Sequence, residues 1–105
     1  MIIGAGEAGR MLITEISNNK DNFKNKVCCI IDDDKNNIGG YIKGIPIIGN
    51  RKTIEKNVDK YNIEEIIIAI PSISREKLNL IIDECQKTKC NIKILPSLSE
   101  LVGKP

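Results

Sequence analysis

The residues best suited to chemistry stand at the start of the chain: Gly4-Ala5-Gly6-Glu7-Ala8-Gly9, a GxGxxG run followed by Arg10. Three glycines at this spacing suit a phosphate. The first makes a tight turn, the second lets a pyrophosphate approach the backbone, and the third lets a helix pack closely on a strand. Amides near Gly6, Glu7 and Ala8 then face the anion at a helix start, where unpaired N–H groups and the helix dipole favour negative charge. Glu7 opposes such a ligand unless it points away, and Arg10 is placed to compensate. The pattern gains value with a strand before it, a helix after it and an acidic residue about 20 positions on, at the next strand's end. Asp32, closing the apolar run Val27 to Ile31, meets that last requirement. Asp33 and Asp34 adjoin it, so which carboxylate faces a ribose stays open. An acidic residue there favours NAD over NADP, a preference that Lys35 softens. The plainer alternative is a strand-to-helix turn that holds no ligand.

Little else in the chain suits catalysis. It has no histidine, no GxSxG elbow and no Walker lysine. Tyr41 is followed by Lys43 and Tyr61 by Glu65, so neither tyrosine belongs to a Tyr-xxx-Lys pair. The four cysteines, Cys28, Cys29, Cys85 and Cys90, lack CxxC spacing. They are expected to be buried or half-buried free thiols of a reducing cytoplasm. The expectation is no catalytic residue, no metal site and no chemistry by this piece alone.

Positioning the glycine loop requires alternating strands and helices. Met1 to Ile3 reads as a short strand, and Glu7 to about Ser17 as a helix with Ala8, Met11, Leu12 and Ile16 on its apolar face. A polar loop, Asn18 to Lys26, leads to "VCCII" (Val27 to Ile31), a run expected to form a strand covered on both faces. The segment "GGYIKGIPIIG" holds the next strand, Ile45 to Gly49, and is expected to be either a flap over the site or a surface turn. Asn50 is placed to cap a helix carrying Ile54, Val58 and Tyr61 on one face. "EEIIIAIP" is a buried strand ended by Pro71, and Ser74 is placed to cap a helix with Leu78, Ile81, Ile82 and Cys85 as its stripe. "NIKILP" is a last strand and "SLSEL" a short helical turn.

This alternation predicts an α/β, Rossmann-like, doubly wound parallel sheet of about five strands, order 3-2-1-4-5, with helices on both faces. Ligands of such sheets lie at the carboxyl ends of the strands, near the switch point, so Pro71 and Ser72 join the candidate crevice. Ser72 and Ser74 have helix capping as their plainer role.

At 105 residues the chain is one domain, residues 1–105, and the short first strand leads to the expectation that it is a fragment of a longer protein. A hydrophobic content of 41% beside 29% charged residues is ordinary for a soluble protein. The net charge of +2 argues against a nucleic-acid or anionic-membrane partner. The longest apolar run, Ile66 to Pro71, is too short to span a bilayer.

Taken as a set, "IIGAGEAGR", "CIIDDDKNNIGGYIKGIPIIG", "IEEIIIAIPSISREKL" and "IKILPSLSEL" resemble one module. It is the CoA-binding-like Rossmann domain of membrane-bound nucleotide-sugar 4,6-dehydratases and epimerases of bacterial polysaccharide and capsule biosynthesis. The resemblance covers essentially the whole chain. It implies transmembrane helices before the domain, on whose cytoplasmic face it sits, and a dehydrogenase-type domain after it that holds NAD(P), the UDP-sugar and the catalytic residues. It carries over Gly4, Gly6, Gly9, Arg10 and Asp32 as candidate ligand contacts, with NAD or a UDP-sugar as the ligand. Three other readings compete. One is the sensor domain of an NADH-responsive transcriptional repressor, which needs a winged DNA-binding domain as well. Another is the nucleotide-sugar-binding domain of sugar acyltransferases, which often carry a histidine near the loop. The last is an interaction module that positions a catalytic domain or joins copies into a homo-oligomer.

Overall fold

The computed structural model describes residues 1–23 and 25–95. In chain order it contains β1 (Ile2–Ile3), α1 (Glu7–Asn18), a 3-10 turn (Lys20–Asn22), β2 (Ile30–Ile31), β3 (Tyr41–Ile42) and β4 (Ile45–Gly49). A second 3-10 turn (Arg51–Thr53), α2 (Ile54–Tyr61), β5 (Glu65–Ile68), α3 (Arg75–Cys85) and β6 (Asn91–Ile94) follow. The strands form one sheet in the order β3-β4-β2-β1-β5-β6. Every neighbouring pair is parallel except β3 with β4. Without β3 this is the expected 3-2-1-4-5 order.

The added strand resolves the "GGYIKGIPIIG" segment. It is neither flap nor plain surface turn but a β-hairpin at the sheet edge, Tyr41 opposite Pro46 and Ile42 opposite Ile45. Lys43 and Gly44 between them have φ of 53° and 81°. Positive φ at both central positions marks the type I′ two-residue hairpin turn, whose backbone matches the twist of its strands.

Isoleucine builds both sides of the core, as a β-branched residue does when a strand is covered on two faces. On one face Ile3, Ile31, Ile66 and Ile68 pack with Ile54 and Val58 of α2 and Ile81 and Cys85 of α3. On the other, Ile2, Ile30, Ile42 and Ile47 pack with Ile13 of α1. Helices thus cover both faces.

Several local expectations are corrected. The "VCCII" run forms a strand only over Ile30–Ile31, which pair with Ile2 and Ile3 of β1. Met11 is exposed, and Gly9 and Ile13 take the buried side of α1 instead. Tyr61 is exposed too, while Asn57 is buried and donates from Nδ2 to Thr53 Oγ1 at 3.1 Å. Asn50 caps the 3-10 turn ahead of α2, accepting from the Lys52 amide at 2.9 Å. Ser74 caps α3 as expected, accepting from the Lys77 amide at 3.3 Å. The "SLSEL" segment lies outside the described residues.

The cysteines divide in a way spacing does not reveal. Cys29 and Cys85 are buried and Cys90 half-buried, but Cys28 is exposed, at a cleft beside the amino ends of the strands. Burial pushes the Cys29 and Cys85 thiols up to about 11. In native protein at about pH 8, iodoacetamide is therefore expected to label Cys28 and spare Cys29 and Cys85, as read by mass spectrometry. Both thiols ionise from about 9 in the unfolded chain, so stability should fall as pH rises from about 9 to about 11 and be unaffected by them below that window.

Candidate nucleotide site

Register brings the candidate residues to one rim. Ile3 lies beside Ile31 and Ile68, so Gly4, Asp32 and Ala69, one residue further along each strand, meet at the carboxyl ends. The loop is tied down from both sides. The Gly4 amide donates to the Ile31 carbonyl at 2.8 Å, and the Ala69 amide to the Ile3 carbonyl at 2.8 Å.

The three glycines have three different surroundings. Gly4 sits at φ +117°, and a Cβ there would lie 2.7 Å from the Ala69 carbonyl oxygen and from Ile70. Only glycine fits that turn. Gly9 lies in the first turns of α1, where a Cβ would overlap the Gly4 carbonyl oxygen, so helix and strand touch backbone to backbone. Gly6 is the N-cap of α1 and exposed, and a Cβ there would meet nothing within 4 Å. The first two glycines serve the fold; the space over Gly6 does not. Gly6 supplies no capping side chain, and the Arg10 amide, donating to Gly6 at 3.0 Å, opens the helical ladder. The amides before it lack intrahelical acceptors and face the rim.

Asp32 is the carboxylate turned to this loop. Its Oδ2 accepts from the Ala5 amide at 2.8 Å and from Asn37 Nδ2 at 3.3 Å, and its Oδ1 accepts from the Asp34 amide at 2.9 Å. Asp33 turns the other way. It accepts from the Arg51 amide at 2.8 Å and pairs with the Arg51 guanidinium at 2.9 Å. Asp34 accepts from the Asn36 amide. The three adjacent acids thus have separate partners. Asn37 and Arg51 are the residues that sequence reasoning missed. An asparagine five positions after an aspartate in a turn-rich stretch was a faint signal for the first, and nothing local marked the second.

The other candidates line the rim more loosely. Ala8 and Pro71 are half-buried, and Glu7, Arg10 and Ser72 are exposed. Among the described residues, no side-chain hydrogen bond or ion pair holds Glu7, Arg10 or Ser72. Pro71 and Ser72 occupy the turn closed by the Ile73 amide donating to Ile70 at 3.1 Å. Two cavities, of about 590 and 780 Å3, lie elsewhere: at the amino ends of the strands, and between α2 and the turn after α3. None of the candidate residues lines either one. What the glycine loop offers at this rim is the backbone amides at the start of α1.

Two substitutions separate the scaffold from the crevice. Gly9→Ala should destabilise the domain by about 1–3 kcal/mol, because backbone rather than a side chain must yield. Asp32→Ala should cost about 1–3 kcal/mol by leaving the Ala5 amide without its acceptor. Urea denaturation measures both, and amide exchange at Ala5 should quicken more in the second, which removes its acceptor outright.

Comparison with known proteins fits this architecture. Residues 1–96 match the CoA-binding domain family. The chain is 36% identical over 102 residues to the probable polysaccharide biosynthesis protein EpsC of Bacillus subtilis (strain 168). It is 30% identical over 113 residues to the capsular polysaccharide biosynthesis protein CapD of Staphylococcus aureus. These alignments cover 97% and 98% of this chain but 17% of each relative. Among solved structures, UDP-D-quinovosamine 4-dehydrogenase from Vibrio fischeri superposes with a TM-score of 0.83 at 29% identity, over 96% of this chain and 80% of that one. RSP, a Rex-family repressor also solved with beta-NADH, shares the fold at TM-scores of 0.72 and 0.71 and 18% identity, over 96% of this chain and about half of its own. A match over nearly the whole chain decides the matter: this chain belongs to the CoA-binding domain family, in the Rossmann-like form found in capsular and other polysaccharide biosynthesis proteins.

Proposed function

We propose that the chain is a nucleotide-holding accessory domain of a larger nucleotide-sugar dehydratase or epimerase of polysaccharide biosynthesis. In this reading it takes NAD(H) or a nucleotide sugar across the glycine loop and does no chemistry itself. The observation that carries the reading is the contrast among the glycines: Gly4 and Gly9 are required by packing, whereas Gly6 faces open space at a helix start. A diphosphate set there meets the first amides of α1 and the positive end of its dipole.

A ribose on the β2 side then meets Asp32. Its Oδ2 already accepts two hydrogen bonds and its Oδ1 one, so Oδ1 keeps an acceptor position for a hydroxyl. Pro71 and Ser72 border the other side of the crevice, and Arg10 offsets Glu7 near the phosphates. The reacting groups belong to a dehydrogenase-type domain elsewhere in the parent protein, held at the cytoplasmic face of the membrane, in keeping with the fraction of each relative that this domain spans. Among the described residues no helix is long and apolar enough to cross a membrane. The repressor-sensor reading rests on fold likeness alone; the beta-NADH bound by RSP makes NADH the first ligand to try.

Calorimetric titration with NADH, NAD, CoA and UDP-N-acetylglucosamine tests the proposal. One of them should bind saturably to the parent chain. In Gly6→Val that binding should fall at least about tenfold while the domain stays folded, because a Cβ at Gly6 meets nothing within 4 Å and the added side chain fills the phosphate space. A folded parent chain that binds none of the four, or a Gly6→Val variant that binds as well as the parent, would overturn it.

A further inference from the structure

The end of β2 carries more charge than a ribose needs. Asp32, Asp33 and Asp34 follow one another there. The Asp32 amide donates to the Gly49 carbonyl at 2.9 Å, which sets the end of β4 alongside. Two residues beyond Gly49 stands Arg51. Its amide donates to Asp33 Oδ1 at 2.8 Å and its Nη1 to Asp33 Oδ2 at 2.9 Å. One carboxylate thus holds both the backbone and the charged end of the same residue.

The Asp33 and Arg51 side chains are 45% and 30% exposed, and an ion pair in reach of water contributes little to stability. Its larger effect is on the charge that a ligand meets. A guanidinium is a planar fork that fits a phosphate through two parallel hydrogen bonds. Here its charge is already matched by Asp33. The lysines next in sequence, Lys35 and Lys52, are exposed ammonium groups on flexible stems, without that fork. With a diphosphate at the start of α1, the ribose hydroxyls face Asp32 Oδ1. A phosphate on one of those hydroxyls would sit against the Asp32 carboxylate, with Asp33 and Asp34 next along the chain. Like charges brought together in this way cost affinity.

We propose that the Asp33–Arg51 pair determines specificity: by holding the guanidinium, Asp33 confines the crevice to nucleotides whose ribose carries a free 2′,3′-diol. This narrows the ligand class of the nucleotide reading above, on which it rests. NAD(H), dephospho-CoA and nucleoside-diphosphate sugars meet the condition. NADP(H), with a 2′-phosphate, and CoA, with a 3′-phosphate, do not. In this member of the CoA-binding domain family, CoA itself is thereby set aside. Asp33 acts through Arg51 and touches no ligand, so it is a positioning residue.

Two ligand pairs that differ only in that phosphate provide the test: NADH against NADPH and dephospho-CoA against CoA, each titrated calorimetrically into the parent chain. The unphosphorylated member should bind at least about tenfold tighter. In Asp33→Asn the side-chain amide oxygen can still accept from the Arg51 amide, so the turn keeps its anchor while the guanidinium loses its countercharge. The preference should then shrink at least about tenfold, and adding Arg51→Ala to Asp33→Asn should restore most of it. A merely structural role for Asp33 would move both members of a pair alike. Equal affinity of the parent chain for both members, or a shrinkage that survives Arg51→Ala, would overturn the specificity role and leave the nucleotide reading standing. Failure of all four to bind the folded chain would overturn the specificity role. If UDP-N-acetylglucosamine failed as well, the nucleotide reading would fall with it.

Discussion

The contact on which the rest of the structure depends is that of α1 upon the end of β1, where Gly9 lies against the Gly4 carbonyl with no room for a Cβ. It brings the helix axis close to the sheet and sets the first turn of α1 directly over the strand ends. Gly4 can turn the chain so sharply only because φ of +117° is open to glycine. Hydrogen bonds from Gly4 to Ile31 and from Ala5 to Asp32 then fasten the turn to β2. A side chain at Gly9 would push helix and loop apart together, and the row of amides at the rim would lose its position.

Around that contact the protein is built for rigidity at one rim. The central strands are short, yet their isoleucines are buried between helices on both faces. Such packing is as dense as an organic crystal and holds the strand ends in fixed register. Amides that project from a rigid rim need no reordering to meet an anion, which lowers the entropic cost of binding. The aspartates extend the same logic. Asp32 braces the glycine loop, and Asp33 braces the start of the turn before α2 through Arg51. Carboxylates that look from the sequence like a ligand-facing cluster are first of all struts between neighbouring loops.

The family assignment suits a domain with this division of roles. The chain spans 17% of each curated relative it matches. The two rims also differ in character. At the carboxyl ends the backbone is fastened; at the amino ends a partly apolar cleft opens beside Met1 and Cys28.

Much of this was legible in the residues. The alternation of apolar runs with helical stripes determined the α/β class, the parallel sheet and its central order. The spacing of Gly4, Gly6 and Gly9, with Asp32 at the end of an apolar run, determined where a phosphate and a ribose are to be sought. Other features were not legible. Met11 and Tyr61 fall at helical spacing yet are exposed, because α1 and α2 each meet the sheet along a narrower stripe than periodicity alone implies. The run from Val27 to Ile31 has strand composition throughout, yet β2 covers only Ile30–Ile31. Only the tertiary structure decided which of three adjacent aspartates turns to the glycine loop, that Asn37 and Arg51 hold two of them, and that Gly6 alone among the motif glycines faces open space. Periodicity and turn chemistry are local and can be read along the chain. Burial and hydrogen-bond partnership depend on residues that folding brings from far along the chain, as Asp32 is brought to Ala5.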